Sequence, residues 1–241
     1  AIEYFVRDKL SEIGRADLHE LTHFACTSED INNLSYAITV RDAIEQVWQP
    51  RARILVDTLG QLAAKYHAIP MLSRTHGQPA TPTTMGKELE VFVHRLNRQL
   101  KRIAATEYLG KFSGATGTFS AHVVAAPAVD WLAESERFVS GLGLTWNPLT
   151  TQIESHDLQR DLTDSSSQRN IGVGIGHSLL ALDNVTRGLG EIELSQAVLE
   201  ADLLDNWEVL GEAIQTVIRA EVAAGRSQIA DPYALLKDLT R

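Results

Sequence analysis

Cysteine and long apolar runs are scarce in this sequence, and each scarcity limits what the protein can be. Cys26 is the one cysteine, so an internal disulfide cannot form, which is typical of a protein kept in a reducing cytoplasm. No run of about 18 apolar residues occurs, so a membrane-spanning helix is not predicted. The opening residues also lack the layout of a signal peptide. A soluble, globular and cytoplasmic protein is therefore expected.

An excess of positive charge is missing as well. The 241 residues include 31 acidic and 22 basic side chains, which gives a formal net charge of −9. Nucleic acids and anionic membranes are bound through positive surfaces, so neither is an expected partner. A small anionic substrate held by a few local arginines stays compatible with this charge. The hydrophobic fraction of 44% is enough to bury a sizeable core in one large domain or two.

The usual signatures of bound cofactors are absent. The glycine-rich stretch 110–122 has no Lys-Ser or Lys-Thr pair that would close a phosphate loop. Gly172, Gly174 and Gly176 suggest a dinucleotide fingerprint, but neither a preceding strand nor a βαβ frame is visible, so close helix packing is the better interpretation. No residues stand at the spacing of metal ligands. No metal and no cofactor are predicted.

Helical periodicity, by contrast, runs through most of the chain. Apolar residues recur at intervals of three and four, which predicts an all-α fold. An interior proline costs a helix about 3 kcal/mol, so Pro50 predicts a kink or break near Gln46 to Pro50. The predicted helical stretches are 2–13, 28–48, 54–66, 89–103, 129–142, 171–189, 194–218 and 229–241.

One proline-rich stretch contains the strongest candidate for catalysis. Pro79 and Pro82 fix their own φ and restrict the residues before them, so His76 is predicted to lie on a stiff, extended loop. Thr83 or Thr84 can then cap the next helix. An imidazole on such a loop can act as an acid or a base near neutral pH, although a solvated loop histidine is the simpler interpretation of the residues alone.

A second candidate site lies at a helix start. Thr27 or Ser28 is the predicted N-cap, and Glu29 and Asp30 stand in the first turn, where the helix dipole favours negative charge. Capping alone explains these residues about as well as a function does. The functional interpretation is an anion site, because hydroxyls and free backbone N–H groups meet at a helix N-terminus.

Basic and hydroxyl side chains gather again before the glycine-containing helix. Arg160 and Arg169 have planar guanidinium groups that suit a carboxylate or a phosphate, and Ser165 to Ser167 can donate hydrogen bonds to the same anion. From residue type alone, ordinary surface arginines are the stronger alternative. Other titratable residues, for which structural or solvated loop roles are favoured, are His122, His156 and Asp157.

The sequence from Arg74 to Pro82, Arg-Thr-His-Gly-Gln-Pro-Ala-Thr-Pro, closely resembles the histidine motif of adenylosuccinate lyases, members of the fumarase/aspartase superfamily. In that family the histidine at the position of His76 is the general acid. Family segments similar to Thr27–Asp30, Gly110–Ala115 and Arg160–Ser165 follow the same order. The resemblance implies that substrate is bound by His23, Thr27, Ser28, Thr75, Gln78, Gln152, Arg160, Ser165 and Arg169.

The resemblance also implies an architecture and a reaction. The architecture is an elongated all-α bundle of the fumarase/aspartase type with a small helical C-terminal domain. Residues 1–16 are then the remnant of an N-terminal helical domain, 17–189 the central long-helix domain and 190–241 the C-terminal domain. The implied reaction is β-elimination of fumarate from adenylosuccinate and from the related SAICAR-type intermediate of purine synthesis. Family members are homotetramers whose active sites combine several chains.

One departure from the family is large. A long family segment, which includes the loop with the catalytic base serine, is expected between Asp157 and Leu158, where this chain runs on directly. No Met-Pro-x-Lys string occurs, and the only methionines are Met71 and Met85. The family's N-terminal His-Asp motif is absent too. We therefore expect that an internal segment and both ends of the protein are missing from this sequence.

Two alternatives stay open on the sequence. Another superfamily lyase, such as an argininosuccinate lyase, shares the fold and the acid but acts on a different leaving group. A non-catalytic helical assembly module is the other alternative, if the chain is truly this short.

Overall fold

The all-α fold predicted from the sequence is confirmed. The structure, a computed structural model, describes the backbone of residues 2–150 and 162–239 and the side chains of residues 2–150 and 169–238. Its α-helices are α1 (Ile2–Glu12), α2 (Ser28–Asp42), α3 (Gln49–Lys65), α4 (Met85–Ala104), α5 (Ser120–Ala125), α6 (Trp131–Gly141), α7 (Leu162–Gly190), α8 (Gln196–Leu204), α9 (Gly211–Ala223) and α10 (Pro232–Leu239).

Two small sheets interrupt the helices. An antiparallel hairpin is formed by β1 (Pro70–Thr75) and β2 (Gln78–Thr84). A short parallel pair is formed by β3 (Leu109–Gly110) and β4 (Thr145–Trp146). Short 3₁₀ turns span Ala16–Leu21 and Trp207–Leu210.

The predicted break near Pro50 is replaced by a change of helix type. A π-helical turn, Ala43–Trp48, connects α2 directly to α3, and Pro50 is the second residue of α3. Proline has no N–H to donate to the preceding turn, and a wider turn just before it accommodates the missing bond. The chain therefore stays helical through this region.

The loop predicted around His76 is a tight β-hairpin turn rather than an extended segment. Thr75 pairs with Gln78, and the two residues between them have positive φ, 51° at His76 and 79° at Gly77. Two such residues in succession are typical of a type I′ turn, which matches the twist of the strands. The expectation was wrong because Pro79 restricts only the residue directly before it, and this is Gln78.

The helix after the hairpin begins as predicted. Thr84 precedes the first residue of α4, and its hydroxyl accepts the backbone N–H of Lys87 at 3.2 Å. Of the two threonines proposed as caps, Thr84 is therefore the one that caps α4.

The chain forms two compact units, Ala1–Pro50 with Arg102–Leu180 and Arg51–Lys101 with Ala181–Arg241. The core of the first unit is built from Leu34 of α2, Val139 of α6 and Leu144. Partly buried residues around this core are Ala37, Ile38, Tyr108, Phe112, Leu142 and Trp146.

The second unit buries one face of α3. The buried residues recur at helical spacing, which is the pattern that predicted this helix from the sequence. They are Ala52, Leu55, Val56, Leu59 and Ala63, and Tyr66, directly after the helix, is buried too. Leu72 of β1 is buried as well, with 3% of its surface exposed.

The three-domain division predicted from the sequence stays a prediction. The two units are defined by contacts, and their boundaries fall within α3, α4 and α7. Over residues 2–150 and 162–239, no helix combines the length and apolar character needed to cross a membrane.

Gly86 allows the start of α4 to approach the end of α3. A Cβ at this position would lie 2.5 Å from the Ala63 carbonyl oxygen and 2.5 Å from the His67 Cα. The backbone N–H of Gly86 donates to the Tyr66 carbonyl at 3.0 Å, so the two helix ends are also hydrogen-bonded. Only a residue without a side chain fits this crossing.

Replacing Gly86 with Ala is expected to lower the free energy of unfolding by about 1–3 kcal/mol, because backbone atoms would have to move. Urea unfolding measures the change. Gly60→Ala is the matched control, since Gly60 lies within α3 with nothing within 4 Å of the added methyl, and it is expected to stabilise the protein by up to about 1 kcal/mol. Equal effects of the two substitutions would contradict this account of the crossing.

Candidate active site

The hairpin presents the predicted acid to solvent. Thr75 is the last residue of β1, Gln78 is the first residue of β2, and His76 lies in the turn between them. All three side chains are exposed, so the structure brings the predicted acid and two predicted substrate ligands together at one tip. A fixed backbone turn limits where the imidazole can point, which suits a group that must meet one reacting atom.

A cavity of about 620 Å³ lies beside the start of α2. His23, Thr27 and Ser28 are in its lining, so these three predicted substrate ligands are also brought together. Much of the remaining lining is apolar and comes from α1 and the turn Ala16–Leu21. Thr27 is the N-cap, with φ −116° and ψ 165°, and the helix start next to it presents backbone N–H groups and the positive end of a dipole. A carboxylate or a phosphate is favoured at such a position.

A buried ion pair fixes the glycine-rich loop next to α2. The side chains of Asp30 and Lys111 are 0% and 1% exposed, and Lys111 Nζ lies 3.0 Å from Asp30 Oδ1. The same carboxylate accepts the backbone N–H groups of Thr27, Ser113 and Gly114 at 2.9, 3.0 and 3.1 Å. Lys111 Nζ also donates to the Gly114 carbonyl at 2.9 Å. The helix start and the loop are therefore parts of one hydrogen-bonded network.

His122 lies in α5 and is fully buried. The rings of Phe112, Phe119 and Trp131 meet it edge-on, with centroid distances of 5.7, 5.3 and 4.9 Å. Neither ring nitrogen has a hydrogen-bond partner in the part of the chain that the structure describes. Burial lowers the pKa of His122 from its usual 6.5, against a smaller opposing effect of the Asp30 charge. These contacts support the structural role favoured for His122.

The other predicted ligands are described only in part. Arg169 is exposed on α7 and belongs to the first unit. Ser165 lies in the same helix, but its side chain is not among those described. Outside the described residues lie Gln152, Arg160, His156 and Asp157.

Two ion pairs near the candidate residues were not predicted from the sequence. Lys111 is 81 positions from Asp30, and Arg74 of β1 pairs with Asp202 across 128 positions. A lysine inside a tight glycine-rich loop was a usable signal, because a charged residue in such a loop often needs a partner. Nothing local to Arg74 identifies Asp202.

Replacing Lys111 with Met is expected to lower the free energy of unfolding by about 3–5 kcal/mol, because Asp30 would be left charged, buried and short of one partner. Urea unfolding near neutral pH measures the loss. Lys87→Met is the control, since the Lys87–Glu88 pair is exposed and should contribute no more than about 1 kcal/mol. Similar losses in the two variants would show that burial does not increase the contribution of the Asp30–Lys111 pair to the free energy of unfolding.

His122 is expected to make the protein less stable in mild acid. The pKa of His122 is lower in the folded than in the unfolded protein. As the pH falls below about 6.5, the unfolded state therefore binds more protons than the folded state. The stability that is present above this pH is lost as the pH falls to the folded pKa. In His122→Phe, the unfolding free energy should fall less between about pH 7.5 and 5.5, by at most about 1.4 kcal/mol per pH unit. The prediction fails if His122→Phe keeps the pH dependence of the wild type.

Two family models match the chain. One described as "Lyase" matches residues 2–171, and one described as "Adenylosuccinate lyase C-terminal" matches residues 156–241. The first of these covers more than half of the chain.

Curated relatives match the chain from end to end. The adenylosuccinate lyase of Escherichia coli (strain K12) is 38% identical over 324 aligned positions, which take in 100% of this chain and 69% of the relative. The adenylosuccinate lyase of Haemophilus influenzae (strain Rd) is 37% identical over 322 positions, with 100% and 69% covered.

The alignment also bears on the predicted internal gap. The 324 aligned positions exceed the 241 residues of this chain by 83, so at least 83 positions have no residue here. Because the whole chain is aligned, these positions fall inside it. Missing internal sequence is therefore confirmed, while the predicted junction between Asp157 and Leu158 lies outside the described residues.

Solved structures share the fold. A fumarate lyase from Mesorhizobium sp. BNC1 has a TM-score of 0.72 at 16% identity, covering 97% of this chain and 71% of that one. A β-carboxy-cis,cis-muconate cycloisomerase from Acinetobacter calcoaceticus sp. ADP1 has a TM-score of 0.67 at 16% identity, covering 99% and 68%. These likenesses support the helical fold alone. The family models and the curated relatives lead to one conclusion: the chain belongs to the adenylosuccinate lyase family.

Proposed function

We propose that this protein cleaves adenylosuccinate to AMP and fumarate, and the SAICAR-type intermediate to AICAR and fumarate. The observation that carries the proposal is the intact motif from Arg74 to Pro82, held at a hairpin tip in a chain 38% identical to the Escherichia coli adenylosuccinate lyase. The products place the enzyme in purine nucleotide synthesis, and cytoplasmic location is part of the proposal.

The reaction needs an acid and a base. The base removes a proton from the carbon next to a carboxylate, and that electron pair becomes the new C=C bond of fumarate. The C–N bond breaks, and its electron pair stays on the nitrogen, which takes a proton from the acid. Negative charge that develops on the carboxylate must be met by hydrogen-bond donors.

His76 is proposed as the acid. Its imidazole is exposed, so a substrate can reach it. The positive φ values of two successive turn residues fix the backbone position from which the ring projects. Histidine is the side chain whose charge changes most readily near neutral pH, which suits the donation of a proton to a departing nitrogen.

The carboxylates and the phosphate are assigned to donors that the family resemblance selects. The start of α2, where Thr27 and Ser28 line a cavity with His23, has the dipole and the N–H groups to bind an anion. The further proposed ligands are Thr75, Gln78, Gln152, Arg160, Ser165 and Arg169.

A homotetramer with shared active sites is also proposed. The exposure of His76 in the single chain supports it, because a catalytic group works best where water is excluded and another subunit could cover it. Large apolar side chains exposed on the helices support it as well, since such faces are usually buried in assemblies. Examples are Phe92 on α4 and Leu180 on α7, at 54% and 59% exposed.

The base is assigned to the missing sequence. The family resemblance places a serine base on a loop within the segment that this chain lacks, and at least 83 aligned positions have no residue here. The natural gene product is therefore expected to have an intact mass above the 26.5 kDa of these 241 residues.

Replacing His76 with Ala in that gene product should lower the turnover of adenylosuccinate about 10²–10⁴-fold, because the nitrogen would leave unprotonated. Release of fumarate, followed by absorbance, measures the rate. His94→Ala is the matched control, since His94 is an exposed histidine of the same unit outside the hairpin, and it should keep wild-type turnover.

Three results would go against the proposal. Near-normal turnover in His76→Ala would remove the acid assignment. Cleavage of argininosuccinate in place of adenylosuccinate would indicate a different superfamily lyase. Assembly into tetramers without binding of AMP or fumarate would indicate a non-catalytic helical module.

A further inference from the structure

The hairpin that carries His76 has little within itself to fix its tip. Leu72 is its one buried residue among those described, and every residue from Arg74 to Pro79 is exposed. The pairing is also interrupted between Leu72 and Ser73, where the register shifts. An isolated two-stranded hairpin is only marginally stable, so the position of this tip depends on contacts with other elements.

Two side-chain contacts connect the hairpin to α8 and α9, which form the C-terminal helical segment of the same unit. Arg74 Nη1 and Nη2 donate to Asp202 Oδ2 and Oδ1 at 3.0 and 2.6 Å. The hydroxyl of Thr81, on the other strand, donates to Glu212 Oε2 at 3.1 Å. The arginine contact is the stronger constraint, because two parallel hydrogen bonds between planar groups fix orientation as well as distance.

Asp202 is itself held in place. It belongs to α8, and its backbone carbonyl accepts a hydrogen bond from Asn206 Nδ2 at 2.8 Å. Its side chain is 27% exposed, and that of Arg74 is 46% exposed. The carboxylate is therefore a defined anchor on a helix, whereas the arginine belongs to the element that needs anchoring.

We propose that Asp202 is a positioning residue for the reaction, which holds the hairpin through Arg74 so that His76 is presented in one orientation. The proposal rests on the proposed function of His76. Only Thr75 separates Arg74 from His76, so the anchored residue is within about 7 Å of chain from the acid. The C-terminal helical segment thereby sets the position of an acid that is more than a hundred residues earlier in the chain.

Asp202→Asn tests the proposal, because it removes the charge and keeps the shape. In the natural gene product we expect kcat to fall by up to about 5-fold, which is the change in hairpin orientation that a half-exposed ion pair can support. KM should rise by a smaller factor, because the tip carries the acid but only two of the nine proposed substrate ligands, Thr75 and Gln78. The melting temperature should change little, because a half-exposed ion pair contributes little stability. Asp202→Glu, which keeps the carboxylate, should restore most of kcat.

A second measurement does not depend on turnover. The ring proton signals of His76 in the NMR spectrum should be single and sharp in the wild type, and shifted or broadened in Asp202→Asn. Glu200→Gln is the control, because Glu200 lies on the same helix and its side chain accepts a hydrogen bond from Gln196. This control should leave kcat, the melting temperature and the His76 signals unchanged.

The outcomes separate this inference from the proposed function. If Asp202→Asn keeps kcat and the His76 signals while His76→Ala loses turnover, the inference is overturned and the function stands. If His76→Ala keeps turnover, the function fails and the inference fails with it. If Asp202→Asn loses melting temperature and activity together and Asp202→Glu restores neither, Asp202 is a structural residue and the inference is overturned.

Discussion

The burial of one carboxylate and one ammonium group is the constraint on which the candidate site at the start of α2 depends. Removing such ions from water costs several kcal/mol for each, so they stay buried only where every polar atom is satisfied. Asp30 meets this condition with Lys111 and three backbone N–H groups, and Lys111 with the carboxylate and the Gly114 carbonyl. The loop cannot leave α2 without unpairing a charge, so the helix start at Thr27 has a fixed neighbour.

The hairpin of the second unit is held by a different balance of forces. Its tip buries nothing, so the turn itself, with positive φ at His76 and Gly77, defines the local geometry. The Arg74–Asp202 pair is half-exposed and is therefore worth only about 0–1 kcal/mol of stability. An interaction of this size does little to hold the fold together, but its bidentate geometry favours one orientation of the hairpin over others.

Features with a local cause could be predicted from the sequence. Of the apolar positions that predicted α3, Leu55, Leu59, Ala63 and Tyr66 are buried, whereas Ile54 is 49% exposed. The start of α2 falls at one of the two predicted caps, Thr27. The hairpin was missed because its turn is His-Gly, whereas Asn-Gly and Asp-Gly are the usual type I′ signals. The ion pairs were missed because 81 and 128 positions separate their partners, and no local pattern encodes a contact at that distance.

Both candidate sites separate the residue proposed to meet the substrate from the residue that holds it in place. A side chain that must reach a substrate stays exposed, so its own burial cannot position it. At the hairpin this task falls to Arg74, two residues before His76, and at the helix start it falls to Asp30, three residues after Thr27. In each case a charged residue close in sequence binds a partner far along the chain. Each sequence motif is therefore longer than the residues needed for the reaction alone, because it contains both the group proposed to act and the group that anchors it.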